Sequence, residues 1–161
     1  AMYPRSDNGC SALTQVDLGT NRPDLKCLDF DPSSDEFAEF TVAFPKAWNA
    51  GTVTFQAYFT VAGTNAGTVK WELEGVSFGD NDLLTAVTYG SPIGPTAKAH
   101  SGTANDLNIT AESGDVTIAN AASGELVYFR LSRDVSDDTQ TGDARLIGIK
   151  LFFTTDKAND E

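Results

Sequence analysis

Few residue types in this chain could carry nucleophilic or metal chemistry. Its 161 residues include one His and two Cys, and the single imidazole, His100, lies beside Ser101 in a loop of small residues. Adjacent residues rarely present their side chains to each other, so we expect no Ser–His dyad and interpret His100 as a surface-loop histidine. Cys10, Cys27 and His100 lack the fourth ligand and the close spacing of a zinc site. The sequence therefore predicts that the protein is not an enzyme.

Carboxylates are plentiful, with 23 Asp and Glu, and four of them lie in the segment 134–143. Calcium prefers several oxygen ligands on a flexible loop, and this segment supplies carboxylates, hydroxyls and carbonyls. We interpret it as a solvated acidic loop, with a candidate calcium loop as the alternative hypothesis, and expect no other cofactor. The candidate ligands are Asp134, Asp137, Asp138 and Asp143.

Two further carboxylates, Glu72 and Glu74, lie two residues apart and therefore on one face of a strand. Glycoside hydrolases use a pair of acids across a cleft, which makes a small glycan hydrolase one hypothesis. Cross-strand ion pairs or plain solvation explain the same spacing with fewer assumptions.

Aromatic side chains could form a platform for a sugar or a contact surface for another subunit. Tyr58 and Tyr128 fall on the outward phase of their strands, whereas Trp71 falls on the inward phase and is expected in the core. Trp48 lies between two strands, where it could contact a ligand or close the end of the core. The predicted ligand or interface surface therefore comprises Trp48, Tyr58 and Tyr128.

The two cysteines leave an alternative open. Cys10 and Cys27 could form a disulfide, which the chain-entropy model values at about 3 kcal/mol for a loop of this length. The first residues contain no apolar stretch of the kind found in signal peptides, so we expect no export signal and favour two reduced thiols.

Alternation of apolar and polar residues dominates the chain and positions these side chains. The strongest alternation runs from 52 to 62, and similar patterns predict strands at 68–73, 125–132 and 144–154. In the last strand the pattern places Ile147, Ile149, Leu151 and Phe153 inward. Weaker signals predict strands at 25–30, 36–44, 93–99, 107–111 and 116–119, a hairpin turn at 113–115, and one or two helical turns at 80–86.

About eight short strands separated by turn residues predict an all-β fold, an antiparallel two-sheet sandwich. We favour a jelly roll, although the pattern does not distinguish it from an immunoglobulin-like sandwich. The expected organisation is an N-terminal arm (1–24), one sandwich domain (25–155) and a short acidic tail (156–161).

The charge balance narrows the range of partners. Eleven Lys and Arg against 23 Asp and Glu give a net charge of -12 and an isoelectric point near 4.3. Phosphate contacts draw on clustered Lys and Arg, so we expect no nucleic-acid binding. No segment approaches the roughly 20 apolar residues of a membrane helix, and we expect no membrane insertion.

Four segments together resemble a known family. They are 8–10 (NGC), 28–31 (LDFD), 39–53 (EFTVAFPKAWNAGTV) and 143–153 (DARLIGIKLFF). In this order they resemble small jelly-roll virion proteins of tailed bacteriophages and gene-transfer particles. These four segments belong to strands and turns and contain no functional motif, so the resemblance assigns no site residue in this chain.

The resemblance implies a virion structural protein: a tail fibre, head spike or capsid decoration assembled in the host cytoplasm. It further implies other virion proteins as partners, a homo-oligomer with a trimer favoured, and contact with host-surface glycans in some members. The alternative is a free-standing carbohydrate-binding β-sandwich module, followed by the small glycan hydrolase.

Overall fold

The structure is a computed structural model that describes residues 1–158; residues 159–161, the end of the predicted acidic tail, lie outside the described residues. Twelve strands and one short 3-10 helix (Val135–Asp137) form in the described part. The strands are β1 (Tyr3–Pro4), β2 (Thr14–Val16), β3 (Leu25–Phe30), β4 (Glu36–Ala43), β5 (Trp48–Val61), β6 (Thr68–Val69), β7 (Trp71–Phe78), β8 (Lys98–Ala99), β9 (Asn108–Ile109), β10 (Ile118–Ala119), β11 (Leu126–Arg133) and β12 (Ala144–Thr155).

The strands form two five-stranded sheets packed as a sandwich. The front sheet has the order β1-β4-β11-β7-β10 and the back sheet the order β2-β3-β12-β5-β9, while β6 and β8 pair separately. Neighbours within the two sheets are antiparallel, except that β10 runs parallel to β7. β3, β4, β5 and β7 alternate between the two sheets along the chain, whereas β11 lies beside β7 in the front sheet and β12 returns to the back sheet. The predicted antiparallel two-sheet sandwich is confirmed.

The core lies between the sheets and follows from the alternation in the sequence. On β5 and β7, inward residues are fully buried because both sheets cover them. Trp71 packs edge-on against Phe30, with ring centroids 4.9 Å apart, and against Phe59, at 5.9 Å. Trp71 is therefore a core residue, as its phase predicts.

The predicted N-terminal arm contributes one short strand to each sheet. β1 pairs with β4 at the edge of the front sheet, and β2 pairs with β3 at the edge of the back sheet. The arm thus covers an edge of both sheets, and a covered edge is protected from pairing with other chains.

The structure differs from the sequence prediction in several segments. The predicted strand at 93–99 forms only an isolated bridge at Ile93 and the two residues of β8. The predicted helical turns at 80–86 are wrong: the segment forms turns, and Asp82 accepts a hydrogen bond from the Gly79 amide at 2.8 Å. The predicted hairpin at 113–115 is also wrong. Residues 108–116 instead run on along β5, where Ser113 donates its amide to the Phe55 carbonyl, before β10 joins the front sheet.

The inward set of β12 is partly wrong because the strand contains a bulge. The register with β5 shifts between Leu146 and Gly148, which reverses the phase of the pleat. Ala144 and Leu146 are therefore buried before the bulge, and Ile147 is 40% exposed.

Candidate functional site

The outer surface of the front sheet, here called the front face, brings polar and aromatic side chains together from β4, β11 and β7. In register across the three strands, Glu39 lies beside Arg130, and Arg130 lies beside Glu74. The next outward row places Tyr128 beside Val76. These residues point outward because their neighbours on each strand fill the core.

Arg130 is the centre of the front face. Its Nη2 lies 2.7 Å from Oε1 of Glu74, and its Nε donates to the same oxygen at 2.7 Å. The guanidinium carbon also lies 4.8 Å from the ring centroid of Phe37 and 4.7 Å from that of Tyr89. A planar guanidinium stacks well on aromatic faces, so Arg130 holds two rings and one carboxylate in a fixed arrangement.

Tyr89 reaches this cluster from the segment that follows β7. Its hydroxyl donates to Oε1 of Glu39 at 3.2 Å, and the Gly90 amide donates to the Gly75 carbonyl at 3.1 Å. A Cβ on Gly90 would lie 2.6 Å from the Thr117 carbonyl oxygen, so the close approach requires glycine. The segment is thereby held against the sheet.

A half-open cavity of about 130 Å³ lies between this segment and the sheet. The Tyr128 ring packs edge-on against Phe78 at its wall, with centroids 5.9 Å apart. The cavity is mainly apolar, with two phenol rings at its edge. Its lining residues are Val76, Phe78, Leu84, Val87, Tyr89 and Tyr128.

Four titratable groups on the front face have raised pKa values. Burial is the main cause for each, and it raises the pKa of the Glu74 carboxyl although Arg130 opposes the shift. Burial and the nearby charge of Glu39 raise the pKa of the Tyr3 and Tyr89 hydroxyls. Burial and Asp134 raise the pKa of Glu72. Of the four groups, Tyr89 lines the cavity, and a perturbed group beside a cavity is typical of a functional site.

The three predicted aromatic candidates do not form one surface. Tyr128 lies on the front face, whereas Tyr58 lies on the outer surface of the back sheet, paired with Gly148 and Ile109. Trp48 is 1% exposed and stacks on Phe44, with centroids 4.3 Å apart. The prediction of Trp48 as a surface residue is wrong, and the alternative, that it closes the end of the core, is confirmed.

The candidate calcium loop is held together by hydrogen bonds and an ion pair. Asp138 pairs with Arg133, which is buried, at 2.8 Å, and Asp134 accepts from the Ser136 amide at 3.0 Å, while Asp137 and Asp143 are exposed. Within residues 1–158, no three His, Cys, Asp or Glu side chains form a group suited to a metal ion. Calcium binding at Asp134, Asp137, Asp138 and Asp143 stays a prediction.

Both cysteines are free and buried in the structure. Burial raises the pKa of Cys10 to about 12 and that of Cys27 to about 11, where Asp29 adds to the effect. Neither thiol is therefore activated as a nucleophile. The favoured pair of reduced thiols and the alternative of a disulfide in the cell both stay predictions.

The prediction of a surface-loop histidine is wrong. His100 is 3% exposed, and its Nδ1 lies 2.8 Å from the Asn65 carbonyl oxygen.

The interpretation of Glu74 as an ion-pair partner is confirmed by its contact with Arg130.

Within the described part of the chain, no helix has the length and hydropathy to cross a membrane.

Sequence reasoning missed Phe37, Glu39 and Arg130. Arg130 had one available signal, since it lies two residues from Tyr128 on the same outward phase. The other contacts depend on which strands are neighbours, and a single strand pattern does not contain that information.

Comparisons with known proteins support the fold. No protein-family model matches the chain, and no curated protein matches it. Among solved structures, the chain is similar to the crystal structure of a carbohydrate-binding module specific for non-crystalline cellulose, CBM28. The two chains are 15% identical, with a TM-score of 0.51, over 95% of this chain and 88% of the other. At this identity the likeness shows a shared β-sandwich fold.

Proposed function

We propose that this protein is a non-enzymatic carbohydrate-binding β-sandwich whose ligand lies on the front face. The observation that carries the proposal is the arrangement around Arg130, where aromatic rings, a guanidinium and two carboxylates are fixed beside a cavity.

The side chains of the front face match the two kinds of surface on a sugar. Sugar rings present apolar C–H faces, which stack on aromatic rings such as Tyr89 and Tyr128. Their hydroxyl groups donate to carboxylates and accept from a guanidinium, and such convergent polar groups set the orientation of a bound ligand. Because the cluster is already held by its own hydrogen bonds, little side-chain freedom is lost on binding.

The electrostatics favour a neutral glycan. Glu39, Glu72 and Glu74 face the front of a chain with a net charge of -12, so an anionic polysaccharide would be repelled. Glu74 is held by Arg130, and Glu39 accepts from Tyr89. Both carboxylates therefore serve to arrange the surface, and we assign neither to acid–base catalysis.

The shared fold adds support and suggests the first ligand. The similar structure is named for binding non-crystalline cellulose, so regenerated cellulose and soluble cello-oligosaccharides are the first probes, followed by an array of neutral glycans.

The test compares Arg130→Ala and Tyr128→Ala with the wild type by calorimetric titration. We expect each variant to lower affinity by roughly tenfold or more, as for a buried anchor in a binding surface. The matched control is Arg22→Ala, which changes an exposed arginine in the loop between β2 and β3. Unchanged affinity in both front-face variants would overturn the proposed site.

Three expectations stay predictions based on the four segments that resemble virion proteins: the virion role, the other virion partners and the trimer. A glycan-binding face would also suit a virion part that contacts a host surface. Light scattering on the purified protein separates these cases, since a free-standing module is expected as a monomer and a spike or fibre tip as an oligomer.

A further inference from the structure

The outer surface of the back sheet, here called the back face, carries a second groove with different walls. It has a volume of about 230 Å³ and is mainly polar. Of the two phenylalanines in its lining, Phe152 lies on the outward phase among hydroxyl and carboxyl groups, whereas Phe153 packs against Phe44. The groove is lined by Thr52, Thr54, Glu112, Asp115, Phe152, Phe153 and Thr154.

A second ring continues the line of this groove. Phe152 pairs with Thr54, and Tyr58 follows four residues along β5 on the same face. The two rings are therefore about 13 Å apart along the strands, at about 3.3 Å per residue. Gly148 is the partner of Tyr58 on β12, and the space where its Cβ would lie is open. One side of Tyr58 is thus left accessible by the glycine beside it.

Hydrogen-bonding groups lie between and beside the rings. Lys150 pairs with Gln56 in the interval, and its Nζ lies 4.5 Å from the Phe152 ring centroid. Thr54 donates its hydroxyl to the exposed carboxylate of Glu112 at the edge of the groove. The back face thus offers two aromatic rings with donors and acceptors along one line, an arrangement longer than a single sugar ring.

Resting on the proposed function, we infer that the back face is a second site for a neutral oligosaccharide, and that one chain therefore binds two glycan strands. The residues assigned to this site are Phe152 and Tyr58 as stacking rings, with Thr54, Glu112 and Lys150 as hydrogen-bonding groups.

The sandwich geometry makes this second site a cross-linking site. Packed sheets lie about 10 Å apart, and their outer surfaces point in opposite directions. A single straight glycan segment lies against one surface only. Occupation of both surfaces therefore joins two polysaccharide strands, and avidity on a multivalent glycan follows without new contacts.

The experiment uses Phe152→Ala and Tyr58→Ala for the back face and Arg130→Ala for the front face. Titration with cellohexaose, or with the best neutral glycan of the array, counts sites, and the rate of aggregation of glycan-coated beads measures cross-linking. We expect two ligands per wild-type chain and aggregation of the beads. Each single-face variant should bind one ligand and lose bead aggregation.

The outcomes separate the two proposals. If Phe152→Ala and Tyr58→Ala leave both the count and the aggregation unchanged, the back site is wrong and the front site stands. If instead Arg130→Ala changes nothing while Phe152→Ala removes all binding, the front site is wrong and the back site stands. No binding to any glycan of the array overturns both.

Two controls address folding and oligomerisation. Phe152→Tyr keeps a ring and is expected to retain both sites, and melting curves confirm that the alanine variants fold. Light scattering measures the mass of each variant, because aggregation by an oligomer with one site per chain would survive Phe152→Ala.

Discussion

Two arginines three residues apart on β11 have opposite surroundings. Arg130 points to the front face, where its side chain is 20% exposed and contacts two rings and Glu74. Arg133 points into the sandwich and is fully buried. Its guanidinium meets both carboxylate oxygens of Asp138 and donates to the carbonyls of Phe30, Gln140 and Gly142.

The difference separates a structural arginine from one available to a ligand. All of the Arg133 nitrogens are engaged, and they join β3, β11 and the loop before β12. Arg130 instead has its nitrogens directed at one carboxylate oxygen and keeps part of its surface in solvent. An arginine with contacts to spare at the surface is the one that a ligand can use.

The largest effect is expected from Arg133→Met. This change leaves the Asp138 carboxylate buried without its cation, which costs about 3–5 kcal/mol of folding free energy. Guanidinium denaturation of the variant checks the value. The double variant Arg133→Met with Asp138→Leu should recover much of the loss, and a single variant as stable as the wild type would contradict the structural role.

The partners of the two arginines provide the next contrast. Asp138→Asn weakens two charge-assisted hydrogen bonds in the interior and should cost about 2 kcal/mol. Glu74→Gln should cost less, because the lost attraction to Arg130 is offset by relief from burying a charge whose pKa is raised. Equal losses in thermal melts would erase the distinction between the two sites.

Arg130→Lys sharpens the assignment of the front face. Lysine keeps the positive charge but lacks the planar guanidinium that stacks between Phe37 and Tyr89. We expect stability within about 1 kcal/mol of the wild type and a loss of glycan affinity close to that of Arg130→Ala. Retained affinity would show that charge alone suffices.

The smallest change in stability is expected at Glu72. Its cross-strand partner is Ser132, which lies between Arg130 and Arg133 on β11. Burial and Asp134 raise its pKa above the unfolded value, so its favourable contribution is complete only below the unfolded pKa. That contribution is lost as the pH rises through the folded pKa. Glu72→Gln should therefore melt slightly higher at pH 7, and the difference should vanish below about pH 4.

The period-2 pattern predicted the sandwich and its core with good accuracy. The bounds 25–30 agree with β3, and Trp71 is buried where the alternation places it. The failures share a physical cause, because a bulge before Gly148 and the passage of residues 108–119 between sheets are not encoded in the alternation.

The candidate site was less predictable than the fold. Tyr128 was found from its phase alone, since an outward aromatic residue is visible in one strand. The Arg130 cluster was not, because it joins β4, β7, β11 and a loop residue, Tyr89, whose position follows only from the folded chain. Burial of His100 was likewise invisible in a sequence of small loop residues.

The order of strands in the back sheet has a consequence for synthesis of the chain. β12 lies between β3 and β5, yet it is the last of the twelve strands to be translated. Until β12 emerges from the ribosome, the edges of β3 and β5 that pair with it are unpaired. The sequence separation between β5 and β12 is more than 80 residues, so this pairing forms late. The back sheet should therefore close only after residue 155 has been translated.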